Sequence, residues 1–105
     1  MKEITVQELK EKMDKQEDFQ LIDVREYYEY EICNLNGELI PMSSILDQLD
    51  KISKDKPVIV HCKSGGRSGV IVMELERRFG MNNLYNLKGG ILAYAREIDP
   101  SLATY

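Results

Sequence analysis

A chain of 105 residues with 43% hydrophobic and 30% charged side chains is long enough for one modest core, so a single soluble domain over residues 1–105 is expected and a two-domain enzyme, a disordered chain and a disulfide scaffold are excluded. Fourteen basic against 18 acidic side chains give a net charge of −4, without the dense basic face that neutralises phosphates, so nucleic acid is not an expected partner. Apolar stretches of four or five residues fall far short of the roughly 20 that cross a bilayer, and two cysteines without CxxC spacing match neither a redox motif nor a zinc set, so the expected setting is a reducing cytoplasm with no membrane.

Helical and extended patterns alternate along the chain, the signature of an α/β domain on a parallel sheet. Thr5 and Glu8 have the spacing of a capping box, and Val6, Leu9 and Met13 share one face of the helix that follows. Phe19 to Val24 reads as a short buried strand. Glu26 to Ile32 reads as one or two helical turns whose tyrosines cover the sheet. Glu38 to Pro41 is a second strand, closed by the proline. Ser43 and Ser44 open a predicted helix with Ile45, Leu46, Leu49 and Ile52 inward, ended by the turn from Ser53 to Pro57.

Val58 to His61, a nearly continuous β-branched run bounded by a turn and glycines, is the clearest strand. From Cys62 to Val70 the chain passes through a loop into a helix whose buried side is marked by Ile71, Leu75 and Phe79. Gly80 is placed to close that helix in the left-handed conformation. Leu84 to Leu87 is a fourth strand, and Lys88, Gly89 and Gly90 lead into a last helix from Ile91 to Ile98, stopped by Asp99 and Pro100.

Cys62 stands at the carboxyl end of the strongest strand and just before a helix N-terminus, where open α/β sheets place their ligands. Backbone N–H groups of a tight loop can converge there, and the helix dipole adds to them, so an anion or a thiolate is stabilised. Gly65 and Gly66 remove side chains that would block convergence, and Lys63 and Arg67 add positive charge. Cys62 is therefore a candidate nucleophile with a depressed thiol pKa, Arg67 a candidate oxyanion holder, and Ser68 a helix cap or a donor to the sulfur.

The chain resembles the rhodanese superfamily in LIDVRE (Leu21 to Glu26), HCKSGGRS (His61 to Ser68) and LKGGILAY (Leu87 to Tyr94). EYEICNLNGELIP (Glu29 to Pro41) and the ending DPSLATY are closest to the C-terminal rhodanese modules of molybdopterin- and thiamine-synthesis adenylyltransferases. The resemblance implies a three-layer fold with a five-stranded parallel sheet flanked by helices. It also implies sulfur transfer from a small anionic donor such as thiosulfate through a persulfide on Cys62, cradled by Lys63, Ser64, Gly65, Gly66 and Arg67, with no metal or organic cofactor. A cysteine desulfurase as donor and a small sulfur-carrier protein as acceptor follow from the narrower likeness. Tyr94 stands where the family often has tryptophan, the adenylyltransferase half is not in this sequence, and the loop differs from that of two-domain thiosulfate sulfurtransferases.

Two other readings compete. HC, a glycine-bearing loop and Arg-Ser nearly match the cysteine phosphatase signature, but those enzymes and the arsenate reductases place one more residue between cysteine and arginine. A catalytically silent binding module is the second, although such relatives usually lose the cysteine. Among the remaining residues, His61 and Cys33 read as packing, Asp23 as a residue that fixes loops, Arg25 as a helper in anion binding, and Tyr27, Tyr28 and Tyr30 as a half-buried helix stripe.

Overall fold

The computed structural model describes residues Met1–Tyr105. Its elements in chain order are β1 (Glu3–Ile4), α1 (Val6–Asp14), β2 (Gln20–Asp23), α2 (Tyr27–Ile32), β3 (Glu38–Leu39), two single 3-10 turns (Ile45–Asp47 and Leu49–Lys51), β4 (Val58–His61), α3 (Gly66–Phe79), β5 (Leu84–Leu87) and α4 (Gly90–Glu97). The five strands form one parallel sheet in the order β1-β5-β4-β2-β3. β4 is central, and all four of its residues are buried, as a strand covered on both faces requires.

Alternation along β4 divides the core. Val58, Val60 and Cys62 pack on one face with Ile71, Val72 and Leu75 of α3, with Ile45 of the first 3-10 turn and with Ile52 just after the second. Ile59 faces the other way, into a cluster with Val6 and Leu9 of α1 and Ile91, Ala93 and Tyr94 of α4. The N-terminal end of α1 is fixed as expected: the Glu8 N–H donates to Thr5 Oγ1 at 3.1 Å, and the Thr5 N–H donates to Glu8 Oε1 at 2.9 Å.

Several expectations need correction. The five-stranded parallel sheet that the resemblance implied is present; the residue pattern marked only four of its strands, the fifth being β1, two residues long and paired at the edge to Asn86 and Leu87. The helix expected after Ser44 is broken into two 3-10 turns, because Gln48 lies between them at φ −131° and ψ 36°, outside the helical region; Leu46 consequently faces solvent. Phe79 in the last turn of α3 is also exposed, as are Tyr27 and Tyr28, so of the three tyrosines only Tyr30 turns inward, donating its hydroxyl to Gly37 O at 2.9 Å. α3 does close on Gly80 at φ 65°.

Candidate active site

The end of β4 delivers Cys62 into a tight turn whose backbone folds around the sulfur. Cys62 is 1% exposed, and its Sγ accepts the N–H of Gly65 at 3.1 Å and the N–H of Ser68 at 3.4 Å. The Ser68 hydroxyl lies 3.3 Å from the same sulfur. Gly65 makes this geometry possible: it holds φ 103°, a conformation that side-chain-bearing residues rarely adopt, and immediately precedes α3. Burial alone would push the Cys62 thiol up. The Ser68 hydroxyl and the N–H groups of Ser68, Gly65 and Ser64 together outweigh that cost and hold the thiol below its ordinary value.

The loop is anchored from behind by α4. Ile91 N–H donates to Cys62 O at 3.0 Å and Leu92 N–H donates to Lys63 O at 3.1 Å, so the first free N–H groups of α4 hold the first two carbonyls of the loop. Gly90 permits this approach, because a Cβ there would fall on Lys63 O and 2.7 Å from Cys62 O. Gly90, the first residue of α4, thus sets how closely the helix approaches the loop.

Asn86 in β5 braces the far side. Its amide donates to Gly65 O at 3.1 Å, and its Oδ1 lies 2.5 Å from the Ser68 hydroxyl. The single hydroxyl hydrogen of Ser68 therefore has two acceptors, Asn86 Oδ1 and Cys62 Sγ.

A chain of charges borders the loop. Arg67, the loop's last expected anion holder, makes a two-pronged pair with Glu29 of α2, at 2.8 Å to Oε1 and 2.9 Å to Oε2. Glu29 is 3% exposed; the Arg67 guanidinium, the Glu26 N–H and the Tyr105 hydroxyl outweigh its burial and lower it to about 2. Tyr105 donates its hydroxyl to Glu29 Oε2 at 2.7 Å and accepts from Arg25 Nη1 at 2.9 Å. Burial and the Glu29 carboxylate keep the Tyr105 hydroxyl pushed up to about 12. Lys63 stands over the Tyr105 ring, with Nζ 4.4 Å from its centre.

Asp23 does fix loops: its carboxylate accepts the Arg25 N–H at 3.0 Å and Arg25 Nη2 at 2.7 Å. Arg25 corrects the expectation of an anion-binding helper. It is wholly buried, and its donors are committed to Asp23, Cys33 O, Glu29 O and Tyr105. His61, opposite Asp23 in the sheet register, is fully buried with neither ring nitrogen hydrogen-bonded, and burial pushes its pKa down. With Asp23 already paired to Arg25, little net negative charge remains to hold an imidazolium. Cys33 is buried, and both cysteines are free.

The residue reading missed Glu29, Asn86 and Tyr105. An asparagine inside the otherwise apolar strand LYNL was a usable signal for Asn86, and a carboxylate three residues after Glu26 was one for Glu29; Tyr105 carried none.

The model of the rhodanese-like domain family matches residues 5–97. A chloroplastic rhodanese-like/PpiC domain-containing protein of Arabidopsis thaliana is 39% identical across 100% of this chain and 38% of its own length. The probable adenylyltransferase/sulfurtransferase MoeZ of Mycobacterium tuberculosis is 33% identical over 97% of this chain and 26% of its own. The chain thus spans well under half of either relative. A rhodanese-like domain protein of Staphylococcus aureus superposes with a TM-score of 0.82 at 33% identity, covering 100% of this chain and 99% of that one.

Proposed function

The chain belongs to the rhodanese-like domain family, and from that premise we propose that it is a sulfurtransferase that works through a persulfide on Cys62. The observation that carries the reading is the convergence of the Gly65 and Ser68 N–H groups and the Ser68 hydroxyl on a buried cysteine sulfur whose thiol is depressed. Such a cradle stabilises negative charge on sulfur in either of two places, the free thiolate or the outer atom of a persulfide.

In the first half-reaction the Cys62 thiolate attacks the outer sulfur of the donor. A new S–S bond forms as the donor's own S–S bond breaks, its electron pair leaving on sulfite from thiosulfate or on a thiolate from a protein persulfide. In the second, a nucleophilic acceptor takes the outer sulfur and the Cys62 thiolate departs, so the cycle needs no external oxidant or reductant. Ser64, Gly65 and Ser68 hold the charge throughout, and α4 keeps the loop from yielding. MoeZ is named a probable adenylyltransferase/sulfurtransferase, which supports sulfur transfer as the activity; a cysteine desulfurase persulfide as donor and a small sulfur-carrier protein as acceptor are the partners this reading proposes. No helix is long and apolar enough to cross a membrane, and two free cysteines suit the reducing cytoplasm that the reading assigns.

Thiosulfate and cyanide test the proposal, the wild type being compared with Cys62→Ala. Thiocyanate formation that disappears in the variant is expected. Turnover that survives removal of the thiol would remove Cys62 from the reaction, and a wild type that transfers sulfur from neither thiosulfate nor a persulfide argues for the binding-module reading.

A further inference from the structure

The loop's two cations are not equivalent. Arg67 is matched by both oxygens of Glu29, a carboxylate brought from another element, nearly buried and held in place by Tyr105 and by the Glu26 N–H. Lys63 has no carboxylate within 4 Å and rests on the Tyr105 ring. Arg25 and Asp23 behind them neutralise each other. Of the two cations within the Cys62 loop, therefore, only Lys63 keeps a charge that no carboxylate cancels.

Resting on the sulfur-transfer reading, we propose that Glu29 is a specificity-determining residue: by neutralising Arg67 it matches the site to a sulfur donor bearing one negative charge, a persulfide, rather than to a dianion such as thiosulfate. A free Arg67 would present its planar fork to the oxyanion of thiosulfate. Occupied by Glu29, it offers little, and the second charge of thiosulfate meets a carboxylate with no counterion to spare. A persulfide presents a single charge at its terminal sulfur, and the N–H groups of the loop are placed to receive it.

Two small donors separate charge from the rest of the chemistry. Thiosulfate is a dianion, whereas methanethiosulfonate has a methyl group in place of one oxygen and is a monoanion; each yields its outer sulfur to a thiolate, releasing sulfite or methanesulfinate. Glu29→Gln removes one negative charge, felt once by the monoanion and twice by the dianion. The ratio of kcat/KM for thiosulfate to that for methanethiosulfonate should rise on the order of tenfold in the variant. Tyr105→Phe leaves both charges of the Glu29 and Arg67 pair and should leave the ratio near its wild-type value, so a rise confined to loss of the carboxylate is an effect of charge; Glu29→Ala, which removes the same charge, keeps a readout if Glu29→Gln does not fold. A ratio that stays level or falls in a folded Glu29 variant, with both donors still turned over, overturns the role of Glu29 alone. No turnover with either donor in the wild type overturns the sulfur-transfer reading and this inference with it.

Discussion

Replacing Ser68 by alanine tests how the Cys62 thiolate is stabilised. The hydroxyl has one hydrogen and lies 2.5 Å from Asn86 Oδ1 and 3.3 Å from Cys62 Sγ. While Cys62 is a thiol, the hydrogen belongs on the amide oxygen, the closer acceptor. Once the sulfur is ionised, a hydrogen bond to a charged acceptor contributes about 1.5–3 kcal/mol, enough to draw the hydrogen across at a cost of roughly 1 kcal/mol for the abandoned Asn86 carbonyl. The net stabilisation of the thiolate by the hydroxyl is about 0.5–2 kcal/mol. Ser68→Ala should therefore raise the Cys62 pKa while the Gly65 and Ser68 N–H donors remain. The ultraviolet absorbance of the thiolate against pH reads the midpoint directly, and the pH profile of iodoacetamide alkylation checks it. A midpoint that does not move, or that falls, would show that the hydroxyl stays on Asn86 and that backbone donors alone hold the thiolate.

Acid should destabilise the fold in two stages. The His61 pKa is depressed in the fold, so the unfolded chain binds the extra proton and stability declines as pH falls below the ordinary value of 6.5. Glu29 is likewise depressed, from 4.5 to about 2, so its contribution is present above 4.5 and lost as pH falls toward 2; the full shift corresponds to about 3 kcal/mol. Urea midpoints measured against pH should be flatter below about pH 4.5 in Glu29→Gln than in the wild type, and parallel curves would remove Glu29 from the explanation. Gly90→Ala should cost about 2–4 kcal/mol in urea unfolding, because the new Cβ meets the Lys63 carbonyl from a backbone at φ 61°; a variant of wild-type stability would mean that the contact between α4 and the loop is not as close as described.

The features legible in the sequence are those written locally. The run Val58 to His61 needs no partner to announce a buried strand, and the capping box of Thr5 and Glu8 lies within one helical turn. The turn from Cys62 to Ser68 was legible because its glycines, its cysteine and the following helix are adjacent in the chain. β1 was not, since two residues with one of them buried carry no period, and it becomes a strand only by pairing with Asn86 and Leu87. The break at Gln48 is equally hidden: Ile45, Leu49 and Ile52 have helical spacing, but Leu46 has no inner surface to meet.

The charge pattern of the site was illegible for a related reason. Arg67 is paired through a residue 38 positions away and Glu29 is held by Tyr105, 76 positions away, so a basic residue in the loop looked free until the fold brought its counterion. Arg25 looked like a surface cation at the end of a strand, yet it lies wholly buried among Asp23, Cys33 O and Tyr105. Sequence spacing gives the chemical types at a site; the net charge a ligand meets depends on tertiary pairing.

Sulfur transfer by this protein requires that Cys62 carry transferable sulfur. Intact-protein and peptide mass spectrometry after exposure to thiosulfate or to a low-molecular-weight persulfide, followed by cyanide, addresses this directly. A gain of one sulfur atom on the peptide containing Cys62, its loss on addition of cyanide, and no gain in Cys62→Ala are expected. A wild-type protein that gains no sulfur from either donor, or one that carries it on Cys33 instead, would contradict sulfur transfer through Cys62.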